Sequence, residues 1–166
     1  LPEMSNQGLL IAMKILTNLN ACAFLLGDLN ILELGILRGL NFILKGGKSD
    51  LTVVQLSWYA VFLAQRGEYE QSTKVVEQIH KLKAHYPHVR ELASTYNILS
   101  GLVLPFKESY EYCIAQHQKG YDIGLENGEI ARAVIGLNNI LFLKLSKGDR
   151  LSHVKEQVSF SNTISR

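Results

Sequence analysis

The sequence predicts an all-α fold, an α-solenoid of about four antiparallel helix hairpins with a period near 40 residues, and three observations predict it. First, an acidic residue recurs just after a chain turn at Asp28, Glu68, Glu108 and Asp149, at intervals of 40, 40 and 41. Each follows an apolar run, Phe24-Leu25-Leu26, Phe62-Leu63, Leu102-Val103-Leu104 and Leu141-Phe142-Leu143. Second, Gly46-Gly47, Pro87 and Asn127-Gly128 form another set of breaks that alternates with the first. Third, apolar residues recur at helical spacing and nothing alternates with a strand period. A repeat of this length marks stacked helix pairs far more often than one closed core.

The caps divide the chain into eight segments, 6–26, 29–45, 50–66, 69–85, 88–104, 107–126, 129–147 and 149 to about 162. The first ends at Gly27, which suits the left-handed conformation, and Asp28 opens the second, which stops at Gly46-Gly47. In the third, Val53, Val54, Leu56, Tyr59, Ala60, Phe62 and Leu63 keep helical spacing, with Ser49 or Asp50 as amino cap. Gly67-Glu68 separates it from the fourth, which Pro87 stops, and Pro105 stops the fifth, because proline lacks an N–H and disfavours helix in the residue before it. The sixth runs from Lys107-Glu108 to Asn127-Gly128, the seventh ends at Gly148, and Asp149 opens the eighth. Such short linkers make neighbours antiparallel. The expected organisation is one helical-repeat domain over 1–166, with units of about 6–46, 49–87, 88–127 and 129–164. Leu1 opens what reads as continuing sequence, so the chain is expected to be a piece of a longer one.

Composition narrows the function. Hydrophobic residues make up 47% and charged ones 19% of 166 residues, and a net charge of +2 is spread through both signs, which leaves no basic stripe for nucleic acid. Lys14, Asp28, Glu33, Arg38 and Lys45 interrupt the oiliest part, so membrane insertion is not expected, and Leu1-Pro2-Glu3 lacks the positive start of a signal peptide. Cys22 and Cys113 fall in different repeats, which predicts two buried, reduced thiols in a cytoplasmic protein.

Tests for chemistry return structural readings. Gly46-Gly47-Lys48-Ser49 ends like a phosphate-binding loop, but position 42 is Phe where that loop needs glycine, and a helix stop followed by a cap explains the same residues. His80, His85 and His88 lack the spacing and companions of a metal site. Glu108 with Glu111, or Glu126 with Glu129, sit at helix ends where carboxylates cap or stay solvated. No enzyme activity, cofactor or metal is expected.

Two stretches, Leu63-Ala64-Gln65-Arg66-Gly67-Glu68-Tyr69-Glu70-Gln71-Ser72 and Gln118 through Glu129 followed by Ala131 and Ala133, resemble the turn of a tetratricopeptide repeat. That resemblance implies a right-handed TPR-like superhelix with units longer than the usual 34 or so residues. Ser72 and His153 stand where a small alanine is typical, and Phe106-Lys107 lacks the turn glycine. In such arrays the first helix of each pair lines a concave groove. Asn18, Trp58, Asn97 and Asn139 precede the acidic markers by 10, 10, 11 and 10 residues, one per unit at nearly the same point of the first helix. The resemblance implies groove residues at Asn18, Asn97 and Asn139, in line with Trp58 and beside Tyr59, Tyr96 and Arg132. An asparagine so placed can equally bond between adjacent helices, with Trp58 in the core.

Leu1-Pro2-Glu3-Met4-Ser5, Ala12-Met13-Lys14-Ile15-Leu16 and Tyr121 through Ala131 also resemble the helical middle region of large bacterial signalling proteins. There a serine/threonine kinase-like domain and a predicted P-loop ATPase come before, and a GAF domain with a histidine kinase often follows. The resemblance implies a regulatory or scaffolding segment. The expected function is a non-catalytic protein-interaction module whose partner is a neighbouring domain of the same chain or a signalling protein. The alternative is a sensor that binds a small signal molecule in the repeat groove. Residues 1–46 are apolar on several helix faces where a terminal repeat is normally polar, so either another domain covers them or they self-associate with a second copy.

Overall fold

A computed structural model describes residues 1–87, 90–150 and 152, and the described chain is helical. Seven α-helices follow in order: α1 (Gln7–Leu26), α2 (Leu29–Gly46), α3 (Leu51–Gln65), α4 (Tyr69–His85), α5 (Leu92–Leu102), α6 (Tyr110–Glu126) and α7 (Ile130–Lys147). A 3-10 turn, Leu104–Phe106, sits between α5 and α6. The eighth expected segment, with His153 and the polar end Ser159 to Arg166, lies outside the described residues, apart from Asp149, Arg150 and Ser152. Extended pairing among the described residues is limited to one parallel bridge between Glu3 and Lys48.

The acidic markers have a backbone cause. After Gly27, Gly67 and Gly148, all at positive φ (71°, 78° and 92°), the next residue turns its N–H back to a carbonyl five positions earlier. These bonds are Asp28 to Ala23 (2.9 Å), Glu68 to Leu63 (2.9 Å) and Asp149 to Lys144 (3.0 Å). This is the Schellman arrangement, which satisfies carbonyls that the helix end leaves free and needs a residue tolerant of the left-handed region. Gly128 (φ 69°) and Glu129 repeat it, with Glu129 N–H on Gly124 at 2.7 Å.

The expectation that the acids cap the next helix is met at Asp28, whose carboxylate accepts from Ile31 N–H at 3.1 Å. Glu68 makes no such side-chain bond. Glu108 is not the cap at all: Ser109 takes that role for α6, accepting from Tyr112 N–H at 3.2 Å, because the turn without glycine runs one residue longer. Of the two candidates before α3, Asp50 caps by accepting from Leu51 N–H at 2.8 Å, while Ser49 is buried.

The chain resolves into two compact units, Leu1–Glu91 and Leu92 onward. In the first, α1 pairs with α2 and α3 with α4, while α3 packs against both α1 and α2. Met4, Met13, Ile43 and Leu51 are buried together at one end, with Leu9, Leu10, Leu40 and Phe42 around them. Ser72, at the position where the repeat pattern wants alanine, is buried and donates its hydroxyl to Ala60 C=O at 2.8 Å, which ties α4 to α3. In the second unit α5, α6 and α7 all touch one another, and Tyr121, Ala133 and Leu137 fill part of the α6–α7 interface.

Cysteine burial departs from expectation. Cys113 is buried, and burial pushes its thiol up, but Cys22 is exposed on α1. The outward side of α1 shows the same departure, with Ile11, Ile15, Leu25 and Leu26 exposed. An 18-residue window of α1 reaches a mean hydropathy of 1.8 with 17% of it buried, so by length and composition alone the helix is apolar enough to cross a membrane, a test that core helices and signal sequences also pass.

Candidate functional site

The expected groove residues fall in both units. In the first, Asn18 is exposed on α1, and Tyr59 is half-buried beside Phe62, their rings stacked at 6.2 Å. Trp58 is 4% exposed and lies against Phe24 at 5.4 Å, so it serves as core.

The asparagine that works in this unit is two residues further along. Asn20 is fully buried and donates to Gln55 Oε1 of α3 at 3.2 Å. Gln55, also fully buried, donates to the carbonyls of Gly35 (3.4 Å) and Ile36 (3.0 Å) on α2. Three helices thus meet at one pair of amides. The approach depends on Gly35-x-x-x-Gly39. A Cβ at Gly35 would fall 2.1 Å from Asn20 Oδ1, and one at Gly39 would fall 2.3 Å from the Gln55 amide. The sequence reading missed this junction, although two glycines four apart inside an apolar helix were its signal.

The second unit has a corresponding junction around a residue that the asparagine column did pick out. Asn97 on α5 is buried; its amide donates to Arg132 C=O at 2.8 Å and its Oδ1 faces His117 Nδ1 at 3.2 Å. A carbonyl can only accept, so the Asn97 NH₂ must point at Arg132 and its oxygen at His117. The imidazole then carries its proton on Nδ1, and Nε2 is left as a bare acceptor. Burial pushes the His117 pKa down to about 4, which keeps the ring neutral. Gly136 makes room for the Asn97 oxygen, which would sit 2.8 Å from a Cβ there. Both ends of the Asn97 amide are therefore engaged between helices, and in this geometry the residue is a strut.

Arg132 is partly buried and held by Glu129 (Nε to Oε2, 2.9 Å) and by the Ser94 hydroxyl. Tyr96 is half-buried, and burial raises its phenol pKa. Asn139 is half-buried, with its Nδ2 and His117 Nε2 each near the space a Gly101 side chain would take, at 3.5 and 3.7 Å. These four residues lie on α5 and α7 of the second unit. Asn18, Trp58 and Tyr59 belong to the other unit.

The chemical motifs resolve into structure. Gly47 (φ 98°) lets Pro2 C=O pass within 2.3 Å of where a Cβ would be, and Lys48 N–H donates to that carbonyl at 2.8 Å. Lys48 pairs with Glu3 at 3.1 Å. Both Glu3 oxygens accept from the Tyr86 hydroxyl at 2.8 Å, and His85 lies 3.4 Å from the same carboxylate. These contacts strap residues 2–4 across the α2–α3 turn to the end of α4. The Tyr86 bond is the main reason the Glu3 pKa is lowered; Tyr86 itself is raised, first by burial and then by Glu3. His80 is exposed, and His88 lies outside the described residues. Glu126 is exposed, Glu129 binds Arg132, and Glu111 pairs with Lys147 at 3.5 Å. No group of three His, Cys, Asp or Glu side chains positioned for a metal occurs among the described residues.

The largest unexplained feature is apolar and outward. Ile11, Ile15 and Leu26 on α1, and Leu34 and Leu44 on α2, are each at least 60% exposed. Comparisons with protein-family models, with curated proteins and with solved structures found no match for this chain.

Proposed function

We propose that this chain is a non-catalytic helical-repeat module, a TPR-like α-solenoid of hairpins, that binds protein through the outer apolar face of its first hairpin. The observation that carries this reading is that face. Ile11, Ile15, Leu25 and Leu26 on α1, with Leu29, Leu34 and Leu44 on α2, are each at least 60% exposed, and large exposed apolar patches mark interaction sites. The buried polar residues fit the same reading. Asn20, Gln55, Asn97 and His117 hold helices to one another and leave little for chemistry. The resemblance to the helical region of multidomain signalling proteins suits such a role, with a kinase-like or ATPase domain, or a partner of one, as the protein bound.

The test is the dye anilinonaphthalene sulfonate, which brightens on exposed apolar surface. The folded chain, diluted until it is monomeric, should enhance its fluorescence, and Ile15→Glu with Leu34→Glu should remove most of that signal while helical circular dichroism stays unchanged. No enhancement from the dilute native chain would refute the reading.

A further inference from the structure

Gly101 is the one glycine of this chain that neither its backbone conformation nor a close neighbour explains. Of the 13 glycines, Gly27, Gly47, Gly67, Gly128 and Gly148 take positive φ. At each of the others except Gly101, a Cβ would lie 3.2 Å or less from a neighbouring atom. Gly101 stands inside α5, where alanine is the better helix former, yet the nearest atom to its missing Cβ is 3.5 Å away. The close packing that accounts for Gly35, Gly39 and Gly136 is not its reason.

The space beside Gly101 is bordered by polar atoms. Asn139 Nδ2 of α7 lies 3.5 Å from the missing Cβ, and the Cε1–Nε2 edge of His117 on α6 lies 3.7 Å from it. His117 is fully buried, and no described residue donates to its Nε2. The Asn97 oxygen holds the ring proton on Nδ1, so Nε2 can only accept, while Asn139 Nδ2 can only donate. A buried acceptor without a donor costs as much as a hydrogen bond gains or more, and native structures seldom leave one. All three residues belong to the second unit, and Gly101 and Asn139 are only half-buried, so the site lies close to solvent.

We propose that Gly101, His117 and Asn139 form a binding site for one hydroxyl group, which donates to His117 Nε2 and accepts from Asn139 Nδ2. The chemistry of the two nitrogens selects this group. A carboxylate has no proton for Nε2, an ammonium has no lone pair for the Asn139 amide, and a hydroxyl has both. Its carrier is water or a small alcohol. Two polar partners are enough to hold a bound water, and with neighbours at ordinary contact distance from a single added carbon, the space takes little more than the hydroxyl itself. Glycine at 101 keeps that space open.

The experiment is nuclear magnetic resonance of the His117 ring in the native chain, with Gly101→Ala as the variant that fills the space. In the native chain the nitrogen resonance of Nε2 should lie upfield of an unbonded imidazole acceptor. In Gly101→Ala it should move downfield, and the melting temperature should fall although alanine favours the helix. A magnetisation-transfer peak from His117 Hε1 to the water resonance identifies water as the carrier. A saturable shift of the same proton on adding methanol, lost in Gly101→Ala, identifies an alcohol. A native Nε2 resonance at the unbonded position overturns the site, and that result stands even if the variant does not fold. A variant that melts higher than the native chain with its Nε2 resonance unmoved overturns it as well.

Discussion

His117 offers a prediction whose size follows from its surroundings. The ring is fully buried, it donates through Nδ1 to Asn97, and its pKa falls from 6.5 to about 4. The folded value lies below the unfolded one, so the neutral ring contributes its full stability above about pH 6.5, and that contribution is lost as pH falls toward 4. The whole span is worth about 3 kcal/mol at about 1.4 kcal/mol per pH unit. At about pH 5 most of the unfolded chain has taken up the proton and the folded chain has not, so about 2 kcal/mol is already gone. Trp58 reports only the first unit, so the assay is native-state hydrogen exchange of the α6 amides, which measures opening of the second unit by itself. Exchange free energies at about pH 7 and about pH 5 should differ by about 2 kcal/mol more in the native chain than in His117→Gln, which has no titrating ring. An imidazole C–H resonance of His117 that titrates near pH 6.5 in the folded protein, or equal losses in both chains, would refute the reasoning.

Other substitutions probe the helix junctions and caps. Gly35→Ala should lose about 1–3 kcal/mol in chemical denaturation despite the better helix propensity of alanine, because the new methyl displaces the Asn20 amide. Asn97→Ala should cost about 2–4 kcal/mol, since it strands the Arg132 carbonyl and His117 Nδ1–H, whereas Asn139→Ala should change stability by less than about 1 kcal/mol; equal effects on melting temperature would contradict the strut assignment. Ser109→Ala should cost about 1 kcal/mol as a lost amino cap, and Glu108→Ala should leave the melting temperature nearly unchanged.

Helix existence and order were legible because they depend on local chemistry. The glycines at 27, 67, 128 and 148 mark turns whose backbone takes positive φ, and apolar residues at helical spacing mark the segments between them. Boundaries failed where that chemistry was missing. The fifth segment, expected from 88, begins at Leu92, and without a turn glycine the sixth begins after Ser109. The buried junctions were harder to read. Asn97 was singled out for its place in a column, yet neither its partner His117 nor the Asn20–Gln55 bridge was visible, because each bond joins residues 20 or 35 positions apart on different helices. Asn18 and Asn20 are both asparagines on α1, and Asn20 is buried because it lies on the face of Met13, Thr17 and Ala23 that packs within the unit. The apolar character of residues 1–46 was plain from composition, while the exposed side of α1 required knowing which of its faces the fold had already used.

Reactivity of the native thiols offers the most direct measurement. Cys113 is buried and Cys22 is exposed on α1, so the fast reaction of the folded chain with a maleimide reports Cys22. If the outer side of α1 is an open binding face, Cys22 in the folded chain reacts within about ten-fold of a free thiol's rate. A Cys22 rate as slow as that of buried Cys113 would contradict the account.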